Sequence, residues 1–183
     1  MDTDDDLMAR ALSGDTAAFA ALVHQHQNRL LRFAFRIVGD WDNASDIVQD
    51  SFIRLWKSRN RYRQTGSAQA YLLTIVRSVC LDNLRTNSGL VHRQSDNDLP
   101  YNGVNCELAA MAGNFDEAVQ EALLELPQTQ REIFILSEYE GMTYQEIAAI
   151  VGCPHGTVAS RKHAAIEKLR QSLRHWVKGE THE

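Results

Sequence analysis

Apolar residues recur along this chain at helical spacing, and no run alternates in the manner of a strand. Leu7, Met8, Ala11 and Leu12 mark a short first helix, which Ser13-Gly14-Asp15 stops before capping the next. From Phe19 the apolar positions are Leu22, Val23, His26, Leu30, Phe33, Ala34 and Ile37, ending at Gly39-Asp40. His26 lies on that inward stripe and reads as a packed core histidine. Ile47, Val48, Ser51, Phe52 and Leu55 form the following stripe, which closes at Trp56. A polar, basic stretch from Lys57 to Gly66 interrupts the pattern. Ser67 then caps a helix with Leu72, Ile75, Val76, Val79, Cys80 and Leu84 inward.

Residues 88–114 lose periodicity and are rich in Ser, Asn, Gly and Asp, the composition of a linker, with room for one short helix around 106–112. Periodicity resumes at Phe115 with Ala118, Val119, Ala122, Leu123 and Leu126. Pro127 falls in the first turn of the next helix, where its missing N–H costs nothing. That helix carries Ile133, Phe134, Leu136 and Ser137 toward Gly141. The fold expected is all-α, with two small helical domains, 1–87 and 115–178, joined by a flexible linker over 88–114.

The chain has 183 residues, 44% of them hydrophobic, which suffices for packed cores. No run of 18 apolar residues is present, so no membrane-spanning helix is expected. The acidic N-terminus, MDTDDDLMAR, lacks the basic-then-apolar layout of a secretion signal, and a cytoplasmic protein is the expectation. Asp4-Asp5-Asp6 reads as a frayed acidic tail and not as a cation site. Cys80, Cys106 and Cys153 fit neither a disulfide framework nor a zinc module. Cys153 and His155 share a turn without a second pair of ligands, so no metal is expected. No Gly-rich phosphate loop or HExxH is present, and no cofactor or catalytic residue is predicted.

The overall net charge of −5 conceals an alternation. Residues 1–51 sum to −5, 54–93 to +7, 116–146 to −7 and 156–178 to +5. Two segregated basic segments point to two separate polyanion contacts, whereas a single one would suit an ordinary solvated helix face.

The densest local signal spans 141–171. Thr143-Tyr-Gln-Glu146 is a capping box. It opens a helix with Ile147, Ala148 and Val151 on one side, ending at Gly152. After Cys153-Pro-His-Gly156 a second helix begins at Thr157, with Val158, Ala165, Ile166, Leu169 and Leu173 inward. Ser160, Arg161, Lys162 and His163 lie near its start. This is a helix-turn-helix pattern, whose second helix suits the major groove of DNA.

From Leu126-Pro127 through Arg131, Glu140-Gly141, Tyr144, Glu146-Ile147-Ala148, Gly152, Pro154 and Gly156-Thr157-Val158 to Lys168-Leu169-Arg170, the segment resembles the C-terminal promoter-recognition domain of bacterial sigma factors. The N-terminal half agrees in order. Gly14-Asp15 with Ala18-Phe19, then Ala44 through Trp56, resembles the polymerase-binding helix. Tyr71-Leu72, Arg77, Asp82 and Arg85 resemble the helix after the promoter-melting loop. Two such halves joined by a short linker resemble the extracytoplasmic-function class of the sigma-70 family.

The resemblance implies a factor that binds core RNA polymerase and recognises the −10 and −35 promoter elements, commonly under an anti-sigma factor. Asp46, Gln49, Asp50, Arg54 and Trp56 become the polymerase contacts, with Trp56 equally suited to the core. Asn60, Arg61, Tyr62, Arg63, Gln64, Tyr71 and Arg77 become the contacts to melted −10 DNA, where cationic and aromatic groups hold single strands. Thr157, Ser160, Arg161, Lys162 and His163 become the contacts to duplex −35 DNA, with Lys162 on phosphate. Ala159 and Ala164 stand where the family often carries basic residues, Cys153 replaces an aliphatic residue and Tyr71 a Trp. These departures bear on which promoter is read. Two other classes stay open at this point: a stand-alone helix-turn-helix regulator, and a sigma mimic that sequesters an inhibitor.

Overall fold

A computed structural model describes residues 3–59, 66–87 and 108–178, and every regular element among them is a helix. The N-terminal half holds α1 (Asp4–Leu12), α2 (Thr16–Val38), α3 (Trp41–Ser58) and α4 (Ala68–Asn87). The C-terminal half holds α5 (Leu108–Glu125), α6 (Gln128–Glu138), α7 (Tyr144–Val151), α8 (His155–Ser172) and α9 (Arg174–Lys178).

The helix boundaries follow from local chemistry. The Asp15 carboxylate accepts from Ala17 N and Ala18 N and starts α2. Gly39, at φ +81°, ends it in the left-handed conformation that a side chain would resist, and Asp40 caps α3 through Asn43 N. Ser67 Oγ accepts from Ala70 N at the start of α4. Pro127 is the N-cap of α6, one step before the first turn where periodicity puts it.

Three expectations are corrected. The acidic N-terminus is a folded element: Thr3 and Asp6 form a capping box, Asp5 Oδ1 accepts from Ala68 N at 2.7 Å, and Asp4 reaches Gln25 and His26 of α2. Its carboxylates act as helix caps, a role that composition hides. Helix α5 begins at Leu108, inside the stretch read as linker, because Leu-Ala-Ala-Met favours helix strongly enough to carry Gly113 and Asn114, at a cost of about 1 kcal/mol for the glycine. Helix α8 begins at His155 and not Thr157, since Pro154 already supplies the extended N-cap.

The two halves pack together. Leu22, Phe33, Ile37, Leu55, Leu73 and Val76 of the first half share one continuous buried cluster with Ile133, Leu136, Ile147 and Ile150 of the second. Each such side chain contributes about 1.5–3 kcal/mol on burial. A smaller cluster, Leu123, Leu126, Ala165 and Leu169, lies within the second half. Polar links cross the seam as well. Arg77 Nε donates to Glu132 Oε2 at 2.8 Å, and Arg29 Nε donates to Glu140 Oε2 at 2.6 Å. Arg131 donates to the Ile37, Leu124 and Leu126 carbonyls at 2.6, 2.7 and 3.1 Å. A Cβ on Gly39 would stand 2.7 Å from Leu124 Cδ1, so the halves approach closely at a position that lacks a side chain.

Candidate nucleic-acid interface

Helices α7 and α8 form the expected helix-turn-helix. Thr143 Oγ1 accepts from Glu146 N, and the Glu146 carboxylate accepts from Thr143 N at 2.8 Å, which fixes the start of α7. The Thr143 hydroxyl and backbone N–H hold the Glu146 carboxyl below its ordinary range. Gly152, at φ +73°, turns the chain, and Val158, Ala165 and Leu169 seat α8 on the body.

Opposite that seat, Gly156, Ser160, His163 and Glu167 form an exposed stripe at helical spacing. Ser160 and His163, both candidates from the sequence, lie on it. Ser160 Oγ donates to Thr157 O at 3.1 Å, a local bond a hydroxyl can exchange for a ligand. Thr157 and Arg161 are half-buried at its flanks.

Lys162 differs from its expected place. Its ammonium lies 2.6 Å from Glu138 Oε1 of α6 and 5.3 Å from the centre of the Tyr144 ring, and its side chain is 18% exposed. The Glu138 bond raises the Lys162 pKa, and Lys162 in turn lowers that of Glu138. Lys162 therefore ties α8 to α6 and α7. Sequence alone shows a basic run in which all members look alike; the acidic end of α6 beneath one of them is a tertiary fact.

On α3, Asp46, Gln49 and Asp50 are exposed along one face, and Arg54 lies beside them. Arg54 Nη1 donates to Asp82 Oδ2 of α4 at 3.0 Å, and a shallow groove between the two helices is lined by Asp46, Asp50, Asp82, Asn83 and Thr86. Ile53, absent from the candidates, is 49% exposed on the same stripe, at i+7 from Asp46. Its signal was available: it falls outside the inward set Ala44, Ile47, Val48, Ser51, Phe52 and Leu55, so an apolar side chain there has no core to fill. Trp56 is half-buried, with its ring 4.9 Å from that of Phe19 and the Arg59 guanidinium 4.6 Å above it. It anchors the end of α3 on α2.

Asn60, Arg61, Tyr62, Arg63 and Gln64 lie outside the described residues. Tyr71 is half-buried on α4. Arg77 is turned into the seam, 17% exposed, on a Glu132 carboxylate that is itself 1% exposed, with a longer bond to Ile150 O at 3.4 Å. The structure thus gathers Ser160 and His163 on one face and Asp46, Gln49 and Asp50 on another. Arg77 joins neither. Among the described residues, no group of three His, Cys, Asp or Glu side chains comes together as a metal site. No helix among them is long and apolar enough to cross a membrane.

Comparison with known proteins gives the same two halves in the same order. Residues 22–89 match the family model described as Sigma-70 region 2, and residues 116–169 match Sigma-70, region 4. The chain is 32% identical to the ECF RNA polymerase sigma factor SigL of Mycobacterium tuberculosis, over 91% of this chain and 96% of that protein. It is 33% identical to the ECF RNA polymerase sigma factor SigE of Mycolicibacterium smegmatis, over 88% of this chain but 65% of that longer protein. Among solved structures it resembles CnrH in complex with the cytosolic domain of CnrY, at 26% identity and TM-score 0.73, over 94% and 98% of the two chains. It also resembles the sigma factor RpoE of Bartonella quintana, solved with the anti-sigma factor NepR, at 27% identity and TM-score 0.69, over 85% and 96%.

Proposed function

The chain belongs to the sigma-70 family, as an extracytoplasmic-function sigma factor of RNA polymerase, and from that premise we propose which of its surfaces do the work. A factor of this family directs promoter-specific initiation by binding core polymerase and recognising the −10 and −35 elements. The reading is carried by the presence of both sigma-70 regions, in order, in one chain. A stand-alone helix-turn-helix regulator has no use for the first of them.

Residues 1–87 are assigned to polymerase binding and the −10 element, and the helices from α5 to α9 to the −35 element. Asp46, Gln49, Asp50 and Arg54 form the polymerase-facing surface, with Ile53 as its apolar centre; a stripe of this kind suits a partner helix with basic and apolar groups. Trp56 supports that surface from behind. Asn60, Arg61, Tyr62, Arg63, Gln64 and Tyr71 serve the melted −10 strand, and Arg77 joins them once released from the seam. Ser160, Arg161 and His163 read −35 base edges, Thr157 sits at the phosphate-facing end, and Lys162 positions the helix through Glu138. The factor acts in the cytoplasm and performs no covalent chemistry. An anti-sigma factor is its regulatory partner, in keeping with the complexes in which CnrH and the Bartonella RpoE are found.

Run-off transcription with purified core polymerase tests the assignment. The chain should confer initiation on a matched promoter. Asp50→Arg should abolish assembly by charge reversal on an exposed position while leaving the helical circular dichroism intact. Unchanged core binding by this variant would remove α3 as the docking surface.

A further inference from the structure

We propose that Glu138 and Tyr144, neither of them on the recognition helix, are specificity-determining residues for −35 DNA, because together they hold Lys162 and with it the roll of α8 about its own axis. The inference rests on the sigma-factor reading and names what aims the helix assigned to that element.

Helix α8 is seated on the body by Val158, Ala165 and Leu169. Apolar burial is non-directional, and the Ala165 side chain is a single methyl group, so this seat fixes the depth of the helix better than its rotation. Directional contacts supply the rotation. The Lys162 ammonium stands 2.6 Å from Oε1 of Glu138, the last residue of α6, and 5.3 Å from the ring centre of Tyr144, the first residue of α7. The same ring lies 5.4 Å from that of His155, where α8 begins. His155 and Lys162, seven positions apart, share one side of the helix and lie about 10 Å apart along its axis. Two points on one side, both tied to α7 and one also to α6, define an orientation.

The exposed stripe of Ser160 and His163 depends on that orientation. Ser160 lies about 200° around the axis from Lys162, so the ammonium faces away from the groove that the stripe enters. A side-chain tip stands about 5–6 Å from the axis, and a roll of about 20° moves it by about 2 Å. Hydrogen bonds to base edges tolerate about 0.5 Å. A small roll therefore changes which bases the stripe can reach, whereas a lost phosphate contact weakens every sequence alike.

For the test, the full-length chain is assembled with core polymerase and offered promoters randomised over the −35 element, and the bound fraction is sequenced at several salt concentrations. Lys162→Met keeps the aliphatic stem and removes the charge, while Glu138→Gln and Tyr144→Leu remove its partners one at a time. Each should lower the preference for the best −35 sequence over a single-base mismatch by about fivefold, the lower end of what one good base contact is worth. The Glu138→Gln/Lys162→Met chain should be no worse than either single variant, since both remove the same contact. The salt slope should equal that of wild type in all of them. Exchanging the charges, Glu138→Lys/Lys162→Glu, should restore most of the preference, which a loss of stability alone cannot explain. A salt slope lower by about one in Lys162→Met, with base preference unchanged, would make Lys162 a phosphate contact and overturn the inference. So would folded Glu138→Gln and Tyr144→Leu chains that keep the wild-type preference. If the wild-type chain with polymerase selects no −35 sequence at all, the sigma-factor reading falls first, and this inference with it.

Discussion

Arg131 shows how much one side chain can hold. Its guanidinium donates to the carbonyl of Ile37 at the end of α2 and to those of Leu124 and Leu126 at the end of α5. Two helix C-termini, each carrying unpaired carbonyls and a partial negative charge, are closed by one planar cation. Lysine cannot reproduce that fork. Arg131→Lys should cost about 2 kcal/mol, with a larger loss in Arg131→Met, measured by urea unfolding. His26 makes a different prediction at the same scale. Burial lowers its pKa below 6.5, and Asp4, whose carboxylate lies 3.2 Å from Nε2, opposes the shift. The folded form therefore binds a proton less readily than the unfolded chain. The stability His26 confers is complete above pH 6.5 and is lost as pH falls toward the lowered value. His26→Gln should flatten that part of the stability profile, and Asp4→Asn should steepen it, because the opposing charge is gone. Periodicity put His26 in the core. It said nothing of Asp4, which arrives from a separate helix.

At the scale of elements, most of the fold was legible because the punctuation is chemical and local. Ser13-Gly14-Asp15, Gly39-Asp40, Ser67 and Thr143–Glu146 each announce a boundary through a cap or a left-handed turn, and the structure uses every one. Where the signal is tertiary the sequence is silent. Asp5 looks like one more acid in a tail, yet it accepts the Ala68 N–H at the start of a helix more than sixty positions on. Asp5→Ala should cost about 1 kcal/mol, the usual worth of an N-terminal cap. Hydrogen exchange should localise the effect: faster exchange in the first turn of α4, and little change in α3. Protection unaltered at Ala68 would show that Ser67 caps the helix alone. The same limit explains Lys162, whose partner Glu138 belongs to another helix.

Over the whole molecule, the alternation of charge acquires a second meaning. Its acidic and basic blocks point outward to partners, but they also answer one another. Glu132 and Glu140, from the third block, hold Arg77 of the second and Arg29 of the first. No reading of blocks in isolation reveals that pairing, since it depends on α6 lying against α2 and on α7 against α4. Shared burial of Phe33, Leu73, Ile133 and Ile147 in one cluster predicts a single cooperative thermal transition for the full-length chain.

Cys80 lies close enough to this charged seam to feel it. It is wholly buried in α4, and burial, reinforced by the Glu132 charge, pushes its thiol up to about 12. At neutral pH the buried group is held as the unreactive thiol. With Cys106 and Cys153 replaced by serine, the chain carries one thiol, which an alkylating reagent can attack only while the body around α4 is parted. Its rate of modification is then a clock. At high reagent concentration it counts individual excursions, and at low concentration it weighs their population. The molecule thus keeps a built-in record of its own breathing, readable by mass spectrometry as the mass added at this one cysteine.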